Sequence, residues 1–210
     1  MTDPDDRHDA IGAFWRWTQR HRAELDALDS ADSEFFDALL EQLKAVDEGL
    51  WLEVSTHAQA PREFVVSAGG DPALFALAEA VAAAAPELPG WQAVALKPPM
   101  GFDFGMRWQG IALLPAEMRY QPLVDRSEPE VLGLRIAVPG FLDELEDDIA
   151  NGVLTLLDTA LGERSAAVDV ALVEVCALPA EAEQDDWLPL VDLSNYVEWR
   201  RRRLAQEGVN

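Results

Sequence analysis

The sequence predicts an α+β fold: a mixed β-sheet of about six or seven strands in two ββαβ-like halves, with an N-terminal helical hairpin and a C-terminal helix. Three observations carry this. Apolar residues recur at helical spacing from Ile11 to Val46, the period switches to two from Leu50, and the order strand, strand, helix, strand can be read twice, over residues 50–97 and 106–178. No residue-level repeat accompanies the third observation, so the two halves rest on element order alone.

The elements follow in chain order. Residues 1–9 are polar and read as a disordered tail. Ile11, Phe14, Trp15, Thr18, Leu25 and Leu28 lie on one helical stripe, with Trp17 off it. Ser33 is placed to cap a second helix carrying Phe36, Leu39, Leu40, Leu43 and Val46, which Gly49 is placed to end. These two helices form the hairpin, residues 10–48. Leu50–Thr56 and Glu63–Ala68 alternate as strands, and residues 57–62 read as the turn between them. Asp71 and Pro72 suit the N-cap and first position of an Ala-rich helix over 73–85, and Trp91–Leu96 is the next strand. In the second half, Met106–Leu114 and Val131–Val138 read as strands, and Tyr120–Val124 as a short edge strand. Residues 139–161 hold a long amphipathic helix, 167–178 a strand, and 179–189 an acidic loop. The last helix falls within 190–206.

A chain of 210 residues fits one domain, here residues 10–210, and buries enough surface to fold without disulfide or metal. The net charge of −23 is spread evenly, −12 over residues 1–105 and −11 over 106–210. Such a surface repels phosphates and anionic lipid and attracts basic partners. Nucleic acid and membrane are therefore not expected partners. No run of about 18 apolar residues exists to span a bilayer, and the acidic N-terminus has no signal-peptide character, which points to the cytoplasm. Cys176, the single cysteine, sits in a strand-like apolar run and reads as an inert thiol. One Cys and three scattered His supply no zinc site, and no metal or cofactor is expected.

The motif order carries a resemblance. Phe14-Trp15-x-Trp17 comes first, then Val65-Val66-Ser67-Ala68-Gly69-Gly70, Ala85-Pro86, Trp91, Ala95-Leu96-Lys97-Pro98 and Leu161-Gly162-Glu163. Over about residues 14–165 this resembles a family of uncharacterised bacterial proteins, a domain of unknown function. The resemblance implies an α+β cytoplasmic fold. It implies no mechanism and carries over no functional residue.

Catalytic motifs fail on residue supply. Ser67 lacks the leading glycine of a nucleophile elbow, and no His follows His57. Gly69-Gly70-Asp71 has neither phosphate-loop pattern, and Asp71 would repel an anion. The acidic runs Asp143–Asp148 and Glu181–Asp186 lack the glycine of a calcium loop. Arg200–Arg203, the one basic cluster, follows a segment, Asp143–Glu198, with 15 acids and one base, and is expected to pair with it. The loop Lys97–Trp108 is the most informative segment. It joins the two halves and combines two Pro, two Gly and two Phe with charges. Lys97, Asp103, Arg107 and Trp108 are the candidate binding residues there, with Glu53 as a further polar group. The competing reading has Phe102, Phe104 and Met106 plugging the core while Asp103 faces solvent.

These features favour a non-enzymatic acidic interaction or regulatory protein of the bacterial cytoplasm that meets a basic protein partner. The alternative is a small-ligand binder or enzyme using a pocket near residues 97–108. Oligomeric state is left open by the sequence.

Overall fold

A computed structural model describes residues 4–55, 61–124, 127, 128, 130–180 and 186–208. The fold is mixed α and β, and the chain forms two compact units, Met1–Lys97 and Pro98–Asn210.

In the first unit, α1 (Pro4–Arg20), α2 (Arg22–Ala27) and α3 (Glu34–Lys44) precede the sheet. Residues 4–9, expected as a disordered tail, are helical, with Pro4 where a helix start tolerates a missing N–H. The stripe from Ile11 to Leu28 is broken at His21 into two helices, yet Ile11, Phe14, Trp15, Leu25 and Leu28 are all buried. Off the stripe, Trp17 stacks on His21 and Phe35 at 4.0 and 5.7 Å between ring centroids. Ser33 caps α3 by accepting from Phe36 N at 3.1 Å. That helix ends at Lys44, before Gly49.

Three strands follow: β1 (Trp51–Val54), β2 (Arg62–Ser67) and β3 (Trp91–Ala95), in the order β1-β2-β3. β1 and β2 run antiparallel, and β3 runs parallel to β2. A parallel neighbour requires a crossover. It is built from a 3-10 turn, Pro72–Leu74, and α4 (Phe75–Ala83), with Asp71 Oδ1 accepting from Ala73 N at 2.9 Å. Phe64 lies at the centre, 6.0 and 5.3 Å from the Phe14 and Trp15 rings, and Trp15 Nε1 donates to Val81 O at 2.8 Å. This bond satisfies the indole N–H inside the core and ties α1 to α4.

The second unit opens with a hairpin, β4 (Met106–Trp108) and β5 (Ile111–Leu113). The single strand expected over Met106–Leu114 is corrected here. Gln109 and Gly110 adopt positive φ, 49° and 87°, and reverse the chain in a two-residue turn. The main sheet has the order β8-β7-β6-β9, made of β6 (Arg119–Leu123), β7 (Gly133–Val138), β8 (Leu172–Ala177) and β9 (Leu188–Pro189). β6 is flanked on both sides, not an edge. Between β7 and β8 lie a 3-10 turn, Asp143–Leu145, then α5 (Glu146–Leu161) and α6 (Glu163–Asp169). The strand expected from residue 167 therefore starts at Leu172, because the chain is still helical to Asp169. α7 (Leu193–Glu207) closes the unit. Leu134, Ile136, Val138, Val153, Leu156, Leu190 and Leu193 form its core, all fully buried.

The described residues thus form nine strands in three sheets, in place of one mixed sheet of six or seven. No helix among the described residues is long and apolar enough to cross a membrane.

Candidate functional site

The sequence-derived residues fall in two places. Lys97 closes the first unit, and its Nζ lies 3.0 Å from Glu53 Oε1, so the structure brings these two candidates together. Asp103, Arg107 and Trp108 belong to the second unit. Asp103 is exposed, while Phe102 is buried and Phe104 packs against the core. Arg107 is also exposed and donates to Gly110 O at 3.0 Å, within its own hairpin. No ion pair joins Asp103 to Arg107 among the described residues. Trp108 turns onto α5. A Cβ at Gly152 would stand 2.8 Å from Trp108 Cγ, so the missing side chain is what lets the indole approach. Its Nε1 is buried without a partner, a cost tolerated for that packing. Met100 N and Gly101 N donate to Thr159 O and Ala160 O, both at 3.0 Å, which fastens the start of the loop to the end of α5. The loop's aromatic groups thus serve the core of their unit.

Other motifs resolve into local structure. Ser67 is buried, and its Oγ accepts from Gly69 N at 3.0 Å, shaping the strand-to-helix turn. In the basic cluster, Arg200 is buried, Arg201 pairs with Asp169, Arg202 with Glu198, and Arg203 lies over the Trp199 ring at 5.6 Å. Burial pushes the Cys176 thiol up, away from the reactive thiolate. No group of His, Cys, Asp and Glu suited to a metal ion occurs among the described residues. Most of the acidic run Glu181–Asp186 lies outside the described residues.

A cavity of about 330 Å³ in the first unit has a more developed architecture. Two stretches of chain line it, Asp29, Ser30, Ala31 and Phe36 from one and Leu52, Glu53, Val54 and Ser55 from the other, together with Arg62. That volume lies at the lower end of the range for small-ligand sites. Arg62 is 7% exposed. Among the described residues its guanidinium makes no ion pair and is held by backbone carbonyls. Nη2 donates to Leu28 O at 2.6 Å and Ser55 O at 3.1 Å, Nε to Ser55 O and Nη1 to Asp26 O, each at 3.3 Å. Its Cζ lies 4.1 Å from the Trp91 ring centre. Burial lowers the Arg62 pKa, partly opposed by the charges of Asp26 and Asp29. Burial raises the Asp26 pKa, but hydrogen bonds from Arg22 and Trp91 together with the nearby cations hold it below the ordinary value. The result is a rigid clamp: one arginine joins the α2–α3 connection to the β1–β2 hairpin.

Arg62 was not among the sequence candidates, because it reads as the end of a turn. Its signal was the alternation Arg62, Phe64, Val66, which places a cation on the buried face of a strand. Comparison with protein-family models, curated proteins and solved structures gives no match.

Proposed function

We propose that this chain is a non-enzymatic interaction or regulatory protein of the bacterial cytoplasm, and that its acidic surface meets a basic protein partner. One observation carries the reading. The chain has 39 acidic and 16 basic residues, and Glu163 is the one acid buried among the described residues. The excess charge therefore stands at the surface, where it raises encounter rates with cationic partners and turns away anionic ones. The resemblance to uncharacterised bacterial proteins fits this setting. A ligand site at Lys97, Asp103, Arg107 and Trp108 has less support, since Trp108 and the neighbouring phenylalanines face inward.

The test is capture by the immobilised full chain from bacterial lysate at low and moderate salt. The expected result is a saturable partner of basic isoelectric point, released as salt rises. Recovery of nucleic acid, or of partners with no basic bias, overturns the reading.

A further inference from the structure

We propose that the open edge of β1 is a strand-addition site, which takes an extended basic segment of a protein partner as a fourth strand of the first sheet. This rests on the basic-partner reading above and names the mode of contact.

Among the described residues, the order β1-β2-β3 leaves β1 with one side unpaired in the sheet. Its hydrogen-bonding phase follows from one bond: Ser55 N donates to Glu63 O at 3.0 Å. In an antiparallel pair, bonded and non-bonded positions alternate. Ser55, Glu53 and Trp51 therefore direct their backbone groups at β2, in register with Glu63, Val65 and Ser67. The N–H and C=O groups of Leu52 and Val54 point the other way. No bond to them from outside the sheet is formed among the described residues. Such groups act as a template for another strand.

The cavity lies along this edge. Leu52, Glu53, Val54 and Ser55 all line it. Successive strand residues point to opposite faces, so a space that touches four in a row must follow the edge between the faces. The facing wall supplies an aromatic ring, Phe36, and a carboxylate, Asp29. Arg62 bridges the two stretches of chain that line the cavity, through Leu28 O and Ser55 O. This holds them apart in advance and lowers the ordering cost of binding.

Charge selects the occupant. Asp29 forms no ion pair among the described residues, and the Glu53 side chain is 55% exposed even with Lys97 beside it. The Arg62 cation is turned into the carbonyls of Asp26, Leu28 and Ser55. An incoming strand thus meets carboxylates on both walls within a chain of net charge −23. Alternating apolar and basic side chains complement that arrangement, apolar groups against Phe36 and ammonium groups toward Asp29 and Glu53.

The experiment uses the full chain and a labelled, end-blocked peptide of alternating Val and Lys, eight residues long, followed by fluorescence anisotropy at low salt. Four further peptides or variants complete it: the Val-Glu counterpart, the Val-Lys peptide N-methylated at every Val, the same peptide N-methylated at every Lys, and the protein variant Val54→Pro. The Val-Lys peptide is expected to bind saturably and to slow hydrogen exchange at Leu52 and Val54. At least one N-methylated peptide and the Val-Glu peptide should bind about tenfold more weakly or worse. Val54→Pro removes an outward donor and leaves the β2 ladder intact, so it should give a similar loss with an unchanged circular dichroism spectrum. Equal binding of the parent and both N-methylated peptides overturns strand addition while the basic-partner reading stands. Failure of the Val-Lys peptide to bind also overturns strand addition, and tighter binding of the Val-Glu peptide overturns both. The N-methylated peptides act on the unaltered protein, so the test holds even if Val54→Pro fails to fold.

Discussion

The two units trace one backbone path with different chemistry. β2 and β7 are both six-residue central strands, each with an antiparallel neighbour on one side and a parallel one on the other. From there the spacing is the same: each 3-10 turn begins five residues after its strand ends, and each helix three residues later. Gly69 and Gly140 occupy the same point of the turn with φ of 62° and 71°. The means of starting the helix differ. Asp71 caps the first turn with its side chain, whereas Leu142 makes no such bond, and Glu146, Asp147 and Asp148 instead set carboxylates against the N-terminal end of α5. α4 has no acid in its first turn. What the two paths share is a buried central strand and a left-handed glycine two residues after it, to which the first unit adds Gly70. The cap is exchangeable.

The largest effects should come from the central strands. Phe64→Ala should cost about 3–5 kcal/mol and Ile136→Ala about 2–5 kcal/mol, since each removes a fully buried side chain. Denaturant unfolding with site-resolved hydrogen exchange checks this. Phe64→Ala should speed exchange first in β1–β3, and Ile136→Ala first in β6–β8. If either change accelerates both sheets equally, the units unfold as one and the comparison loses its thermodynamic meaning.

Alkaline pH should separate the units next. Both tyrosines of the chain, Tyr120 and Tyr196, lie in the second unit, edge to face at 5.9 Å. Burial raises the pKa of each above the ordinary value of 10.0, with the neighbouring tyrosine and Asp192 adding to the effect on Tyr120. The folded state therefore keeps protons that the unfolded chain releases. Stability is intact below that value and falls as pH rises through and beyond it. Tyrosinate absorbance should appear together with loss of exchange protection in β6–β8, before β1–β3 responds. Tyr120→Phe should move that transition to higher pH. Tyrosinate formation with full protection retained would contradict the burial argument.

The smallest effect tests the shared turn. Gly69→Ala and Gly140→Ala each place a Cβ at positive φ, which costs about 1–2 kcal/mol. At Gly69 the new Cβ would also stand 3.0 Å from Trp51 Cδ1, whereas at Gly140 it meets nothing. Thermal unfolding should rank Gly69→Ala as the more harmful. The reverse order would show that the two turns are not held by the same constraint.

Much of this was legible from local chemistry. Ser33 and Asp71 act as caps where the sequence places them, and the apolar stripes of α1, α3 and α5 turn inward, with Phe14, Leu39, Leu43 and Val153 fully buried. The strand pairs of the first unit follow the alternation read over residues 50–68. The misses have definite causes. In Met106–Leu114 the apolar positions pass from Met106 and Trp108 to Ile111 and Leu113, so the phase of the alternation shifts at Gly110; that shift marked the reversal, but Gln-Gly lacks the Asn or Asp that usually leads a two-residue hairpin turn. Ala166–Asp169 has neither period clearly, and helix continued there until Val170 became extended. β9 consists of two residues whose strand character exists only through pairing with Arg119 and Tyr120.

The sequence by itself determined the caps at Ser33 and Asp71, which faces are apolar, and that the surface is strongly acidic. These depend on residues within a few positions of one another, or on composition. Tertiary structure decided how the strands divide into sheets, which strand edge stays open, and what Arg62 does. The Arg62 guanidinium draws its acceptors from Asp26, Leu28 and Ser55, on two separate elements, and stacks on Trp91, 29 positions away. Burying a cation without an ion pair is affordable only when folding delivers several carbonyls to it at once, and no local spacing in the chain encodes that.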